Sequence, residues 1–269
     1  MKNLKFTLLV AAVTGISAFW VPTLASAEEI FLGFDTQSPV QQYTTAGAFL
    51  SNFGQSGATG SALDGSGHAW TVAPNFGNNN IQKYDAAQSV LNTFTATISG
   101  QWVEDMAYGG FVGGVETLWL STYEGSVFRV NANTGAVISS FAPGLGQFLG
   151  VAYDGTDLWL TGGAFQGNTN ISRYSTTGTL LSAINTGTTG AGGIGYSLDA
   201  NTLWVGYYGT VKQYSLSGAL LSSFTAGTAF HDGLEIGNFQ QQQVPEPASL
   251  ALLGIGLAGL GAIRRKQRT

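Results

Sequence analysis

Between residues 28 and 239 the chain alternates short apolar or β-branched runs with clusters of Gly, Ser, Thr, Asn and Asp. One stretch reads Gly150-Val151-Ala152-Tyr153-Asp154-Gly155, then Leu158-Trp159-Leu160, Ile171-Ser172-Arg173-Tyr174 and Leu180-Leu181-Ser182-Ala183-Ile184. The next repeats the plan with Gly193-Ile194-Gly195-Tyr196, Leu203-Trp204-Val205, Val211-Lys212-Gln213-Tyr214 and Leu220-Leu221-Ser222-Ser223-Phe224. Runs of this length, rich in Val, Ile, Tyr, Trp and Leu and bounded by turn residues, predict four short strands per unit.

Two earlier units keep the order. One runs from Asp105-Met106-Ala107-Tyr108 to Val137-Ile138-Ser139-Ser140-Phe141, the other from Gly60-Ser61-Ala62-Leu63 to Leu91-Asn92-Thr93-Phe94. The aromatic of the second strand falls at Trp70, Trp119, Trp159 and Trp204, with spacings of 49, 40 and 45. A period of about 40 to 50 residues with four strands per unit is the pattern of propeller blades. The region opens in mid-unit: Ile30-Phe31-Leu32, Val40-Gln41-Gln42-Tyr43 and Phe49-Leu50-Ser51-Asn52-Phe53 match the second, third and fourth strands. Gly233-Leu234-Glu235-Ile236-Gly237 matches the missing first strand. The expected fold is all-β: a five-bladed β-propeller closed by a C-terminal strand, which leaves no inner edge unpaired. A parallel β-helix is the rival, though its rungs are shorter and leave no partial unit to complete. The four tryptophans are expected to fill the spaces between adjacent sheets.

Both ends differ from this repeat. Lys2 and Lys5 precede an apolar run from Phe6 to Leu24 and the small-residue segment Ala25-Ser26-Ala27, the three-part pattern of a secretory signal peptide over 1–27. After the propeller domain at 28–239, a linker and membrane segment occupy 240–269. Here Pro245-Glu246-Pro247 leads into the uncharged stretch from Ala248 to Ile263 and then Arg264-Arg265-Lys266-Gln267-Arg268. As a helix that stretch spans roughly 24 Å, and the flanking arginines would snorkel to complete a bilayer crossing with the basic end cytoplasmic. This breaker, hydrophobic helix and basic cluster resemble the PEP-CTERM sorting signal of Gram-negative bacteria. The resemblance implies signal peptidase and exosortase as partners during export. It also implies transient insertion in the inner membrane and delivery to the cell surface or an extracellular matrix. The repeats loosely resemble YVTN-like and NHL-like propellers across residues 29–237.

Composition narrows the chemistry. There is no cysteine, which excludes disulfides, thiolate metal sites and a cysteine nucleophile. Residues 28–243 carry four basic side chains against fourteen acidic ones, a net charge of −10, which argues against nucleic acid as a partner. Phosphate-loop, zinc-protease and serine-hydrolase motifs are absent, and two histidines, His68 and His231, cannot make a His-rich metal site. No catalytic residue, metal or cofactor is implied.

One repeat position stands out. Gly60, Asp105, Gly150, Gly193 and Gly233 align just before or at the inner strand, and glycine there has a steric reason where five backbones converge. Asp105 is the exception, and Glu104, His231 and Asp232 cluster in the same two blades. These four, Glu104, Asp105, His231 and Asp232, are expected to form a polar ligand site at one face of the channel, with the loop Gly162 to Asn170 as the next candidate. The reading is a surface or matrix protein whose propeller is a non-enzymatic binding or structural module, with extracellular polysaccharide as candidate ligand. The alternative is a carbohydrate-active enzyme, glycosidase or lyase, that uses channel carboxylates such as Glu104, Asp105, Asp232 and Glu235.

Overall fold

The computed structural model describes residues 27–34, 38–74 and 77–239, all within one compact unit, Ser26–Val244. The segment expected to be a signal peptide, apart from Ala27, and the C-terminal sorting segment lie outside the described residues. Within them there are twenty strands and no helix.

In chain order the strands are β1 (Glu29–Gly33), β2 (Val40–Thr44), β3 (Phe49–Phe53), then β4 (Gly60–Leu63), β5 (Ala69–Ala73), β6 (Asn78–Tyr84), β7 (Val90–Thr97). There follow β8 (Val103–Val112), β9 (Val115–Thr122), β10 (Val127–Asn131), β11 (Val137–Phe141), and β12 (Val151–Tyr153), β13 (Leu158–Leu160), β14 (Asn170–Tyr174), β15 (Leu180–Asn185). The last are β16 (Ile194–Ser197), β17 (Thr202–Tyr207), β18 (Thr210–Ser215), β19 (Leu220–Thr225) and β20 (Gly233–Gly237). They form five antiparallel four-stranded sheets. Four are consecutive meanders, and the fifth has the order β20-β1-β2-β3, so the C-terminal strand completes the first blade. Its register is continuous, Glu29↔Gly237 through Gly33↔Gly233. The inner strands β4, β8, β12, β16 and β20 pack one against the next in a closed ring. The five-bladed propeller closed by a C-terminal strand is therefore the fold.

Five apolar clusters hold the ring, one between each pair of neighbouring blades. Trp70, with Val72 and Ile81, packs on Met106, Leu118 and Val130 of the next blade. Trp119 meets Val151 and Leu158, Trp159 meets Ile194 and Leu203, and Trp204 meets Leu32 and Leu234. In the first blade Phe31 takes the tryptophan's place, against Leu63 and Ala69. All four tryptophans are at most 3% exposed. Three also carry a cation from their cross-strand partner on the third strand: Lys83 over Trp70 (4.6 Å), Arg129 over Trp119 (4.9 Å) and Arg173 over Trp159 (5.3 Å). An aliphatic stem with a cationic head covers an indole face well. Three of the core's four basic residues are thereby accounted for.

The turn joining the third and fourth strands is also repeated. It opens on Thr44, Asp85, Asn131, Ser175 or Ser215, whose side-chain oxygen accepts backbone N–H groups two to four residues on. The fourth turn residue, or the fifth in the turn from Asn131, is left-handed: Gly47, Gly135, Gly178 and Gly218 have φ between 72° and 89°. All four glycines lie against the fourth strand of the preceding blade, at Phe224, Thr95, Phe141 and Ile184. The second blade departs, with Gln88 at φ 62°.

Candidate functional site

Every inner strand starts at the same end of the ring, here termed the entry end, and leaves at the exit end. Side chains at alternate positions face the axis. The first axial layer is Gly60, Asp105, Gly150, Gly193 and Gly233. A Cβ added at Gly60 would stand 2.8 Å from the Asp105 Cα, one at Gly150 3.0 Å from the Gly193 Cα, and one at Gly233 2.7 Å from the Gly60 Cα. Backbones this close leave room for a single side chain in the layer, and it belongs to Asp105.

That carboxylate is fully enclosed. Its Oδ1 accepts the Met106 N–H at 2.8 Å, and its Oδ2 accepts the Val151 and Ile194 N–H groups at 3.2 and 3.1 Å. Met106 lies within β8 while Val151 and Ile194 open β12 and β16, so one side chain ties three blades together. Burial pushes its pKa well above the usual carboxylate range, the three N–H donors pull it down, and the nearby Glu235 charge raises it further.

The other residues expected at this face lie beside it and are equally enclosed: Glu104 is 4% exposed, His231 0% and Asp232 3%. The His231 Nε2 is 2.8 Å from the Ala226 carbonyl, its ring stands edge-on to Phe34, and burial lowers its pKa. All four are enclosed near the entry end of β8 and β20, inside the ring where an open channel face was expected. Five inner strands converging on glycine leave no lumen there.

Two residues further along, the second axial layer is Ala62, Ala107, Ala152, Gly195 and Glu235. Again four positions are small and one is acidic. Glu235 Oε1 accepts its neighbour Ile236 N–H at 2.9 Å, and burial raises its pKa to about 8, with the Glu28 charge adding to the rise.

Beyond Glu235 the ring opens. A cavity of about 530 Å³ occupies the exit mouth, with Glu235 and Ala107 in its lining and Tyr108, Tyr153 and Tyr196 around it. The three tyrosines occupy one repeat position in successive blades, next to the second-layer residue. Tyr108 stacks on Trp70 at 5.4 Å; burial and the Glu116 and Asp64 charges push its hydroxyl up to about 12. Glu28, Asp64, Asp199 and Arg129 supply charge. Glu28 is held by the Ser197 hydroxyl at 2.6 Å, and Arg129 donates to the Gly109 carbonyl at 3.0 Å. Among the described residues no group of three His, Cys, Asp or Glu side chains is arranged to hold a metal ion.

Sequence reasoning singled out Glu235 but not the cavity above it. The repeated tyrosine one position beyond the second axial layer was the available sign.

Residues 243–266 match the model of the PEP-CTERM protein-sorting motif. The chain carries an exosortase sorting signal. It is accordingly an exported protein that transits the membrane toward the cell surface, with the propeller as its folded part. No curated protein matches the chain. Among solved structures, a Bacteroides caccae protein of unknown function is 12% identical, with 75% of this chain and 74% of that one covered, at a TM-score of 0.47. A functionally unknown protein from Desulfotomaculum acetoxidans is 20% identical over 75% and 67% of the two chains, at a TM-score of 0.45.

Proposed function

We propose that the propeller is a non-enzymatic binding module of the cell surface or extracellular matrix, and that it takes a sugar-sized polar ligand in the exit mouth. The observation that carries this reading is the composition of that cavity. Its size falls in the range of small-molecule sites, roughly 300 to 1,000 Å³. Three tyrosines offer ring faces to sugar C–H groups, and the carboxylates offer acceptors to hydroxyl donors. Glu104, Asp105, His231 and Asp232 serve this site from beneath, as the plug that fixes the inner strands. Signal peptidase removes residues 1–27, and exosortase processing near Pro245–Pro247 leaves the surface form without Arg264 and Arg265; intact-mass measurement of surface material tests both cleavages.

The test of binding is calorimetric titration of the exported protein with a panel of neutral oligosaccharides. Tyr153→Ala and Tyr196→Ala should each weaken the best ligand by roughly tenfold, the scale of one lost aromatic contact. No heat from any sugar, or unchanged affinity in both variants, would remove the exit mouth as the site.

A second reading has one observation in its favour. Glu235, with a pKa near 8, is protonated at neutral pH and lies in a cavity with the carboxylates Glu28, Asp64 and Asp199. A protonated acid in one cavity with a carboxylate such as Asp64, whose pKa is held down against burial by hydrogen bonds from Ser66 and His68, is the set that glycoside hydrolysis uses. Release of reducing ends from the bound sugar, abolished by Glu235→Gln, would make the protein an enzyme; retention of intact sugar makes it a binder.

A further inference from the structure

The entry face carries a cleft of its own. About 260 Å³ in volume, it lies between the fourth and fifth blades, lined by Phe165, Phe230, Tyr208, Thr188, Thr210 and Lys212 among others. Phe165 comes from the loop after β13, Tyr208 from the turn between β17 and β18, and Phe230 from the crossover into β20. Phe165 and Tyr208 are each 70% exposed, an unusual outlay of aromatic surface with no blade to cover it.

The aromatics are braced. The Phe165 and Phe230 rings are 5.4 Å apart and tilted by only 35°, an offset pair whose outer member, Phe165, is exposed. Phe148 stands edge-on to both, at 4.8 and 5.7 Å, and Tyr123 stands edge-on to Phe148 at 4.4 Å. Phe148 holds that place with φ at 57°, a left-handed conformation costly for a bulky side chain. A strained residue supporting this ring pair sets the cluster apart from the repeat-wide packing.

The cleft also holds the one basic residue that the repeat does not explain. Lys83, Arg129 and Arg173 each cover a tryptophan, but Gln213 stands opposite Trp204, and the cation has moved one position to Lys212, onto the other face of the sheet. Its Nζ donates to the Thr188 hydroxyl at 3.2 Å and lies 5.0 Å over the Tyr207 ring. Among the described residues no carboxylate forms an ion pair with it, whereas Lys83 and Arg173 are paired. In a core of charge −10, an ammonium without an acidic partner beside an exposed aromatic ring is complementary to an anion with an apolar face.

We propose that this cleft is a second binding site and that it takes a carboxylate-bearing sugar, a uronate unit of an acidic polysaccharide. The ring face stacks on Phe165, the carboxylate meets Lys212, and the threonine and tyrosine hydroxyls receive the sugar hydroxyls. The site is at the opposite end of the axis from the exit mouth and does not depend on it.

The test titrates the exported protein with a trigalacturonate and, separately, with its methyl ester, which keeps the rings and removes the charge. The acid should bind roughly tenfold more tightly than the ester at low salt, the scale of one charge-assisted hydrogen bond. Lys212→Gln should abolish that preference. Phe165→Ala, at a side chain too exposed to support the fold, should weaken both ligands, and Tyr153→Ala in the exit mouth should weaken neither. Equal affinity for acid and ester, discrimination that survives Lys212→Gln, or failure of the acid to bind would overturn the proposal. Weakening by Tyr153→Ala but not by Phe165→Ala would overturn it too, and would assign the sugar to the exit mouth.

Discussion

Asp105 and Glu235 stand in successive layers on one axis, each the only acid among four Gly or Ala neighbours, yet their surroundings differ. Asp105 is met by N–H groups from three inner strands, two of them at the strand starts, and is closed off from solvent. Glu235 is met by the N–H groups of its own neighbour Ile236 and of Leu63, and lies in the lining of an open cavity. The same residue chemistry is a structural clamp where strand starts converge and a cavity group where strands diverge. What decides between them is the density of backbone donors, because an enclosed carboxylate needs partners for both oxygens.

The widest separation of the two ends is steric. Gly233→Val at the entry layer drives a branched side chain into the Gly60 backbone and should abolish folding, read as loss of the cooperative melt. Gly237→Ala at the exit end meets nothing nearer than the Leu63 Cδ1 at 3.2 Å and should leave a folded, soluble protein. If both variants melt like the native chain, the entry ring is not tightly closed.

A smaller effect separates the acids by pH. Glu235 is raised from its ordinary 4.5 to about 8. Between those values the folded state holds a proton that the unfolded chain releases. The stabilisation is therefore complete below pH 4.5 and lost as pH rises through about 8. Melting temperature should fall between pH 5 and pH 9, and Glu235→Gln, which stays neutral, should flatten that fall. Asp105, Glu28 and Glu29 are shifted in the same direction, so a residual slope is expected. A slope unchanged by Glu235→Gln would place the titration elsewhere.

The smallest effect extends the four-to-one contrast to the rim. At the third-to-fourth strand turn, Gln88 replaces a left-handed glycine and no compensating contact is evident. Gln88→Gly should stabilise the protein by about 0.5 to 1 kcal/mol through relief of backbone strain. Destabilisation would show that Gln88, like Asp105, has a task of its own.

Much of this was legible before the structure. Repeated tryptophans marked four blades, and the half-unit from Ile30 to Phe53 with Gly233-Leu234-Glu235-Ile236-Gly237 announced the fifth and its closing strand, because these signals are periodic and local. Asp105 was recognisable as an exception among glycines. Its destination was not, since Val151 and Ile194 lie 46 and 89 residues away and meet it only when the ring closes. The exit cavity escaped for a related reason: it arises from the divergence of strands whose sequences there, Tyr108, Tyr153 and Tyr196, read as ordinary interblade aromatics. The loop Gly162 to Asn170 was noted as an alternative site, but its partners Phe148 and Phe230 come from separate crossovers.

Amide hydrogen exchange tests the clamp most directly. In the native protein the Met106, Val151 and Ile194 amides should exchange only on global unfolding. Asp105→Ala leaves three enclosed donors without an acceptor, at about 1 to 3 kcal/mol each when nothing replaces it. Those three amides should then exchange faster by far more than the rest of their strands, with a lower melting temperature for the whole ring. Unchanged protection at Val151 and Ile194 in a folded Asp105→Ala protein would contradict the account and return Asp105 to the search for a ligand.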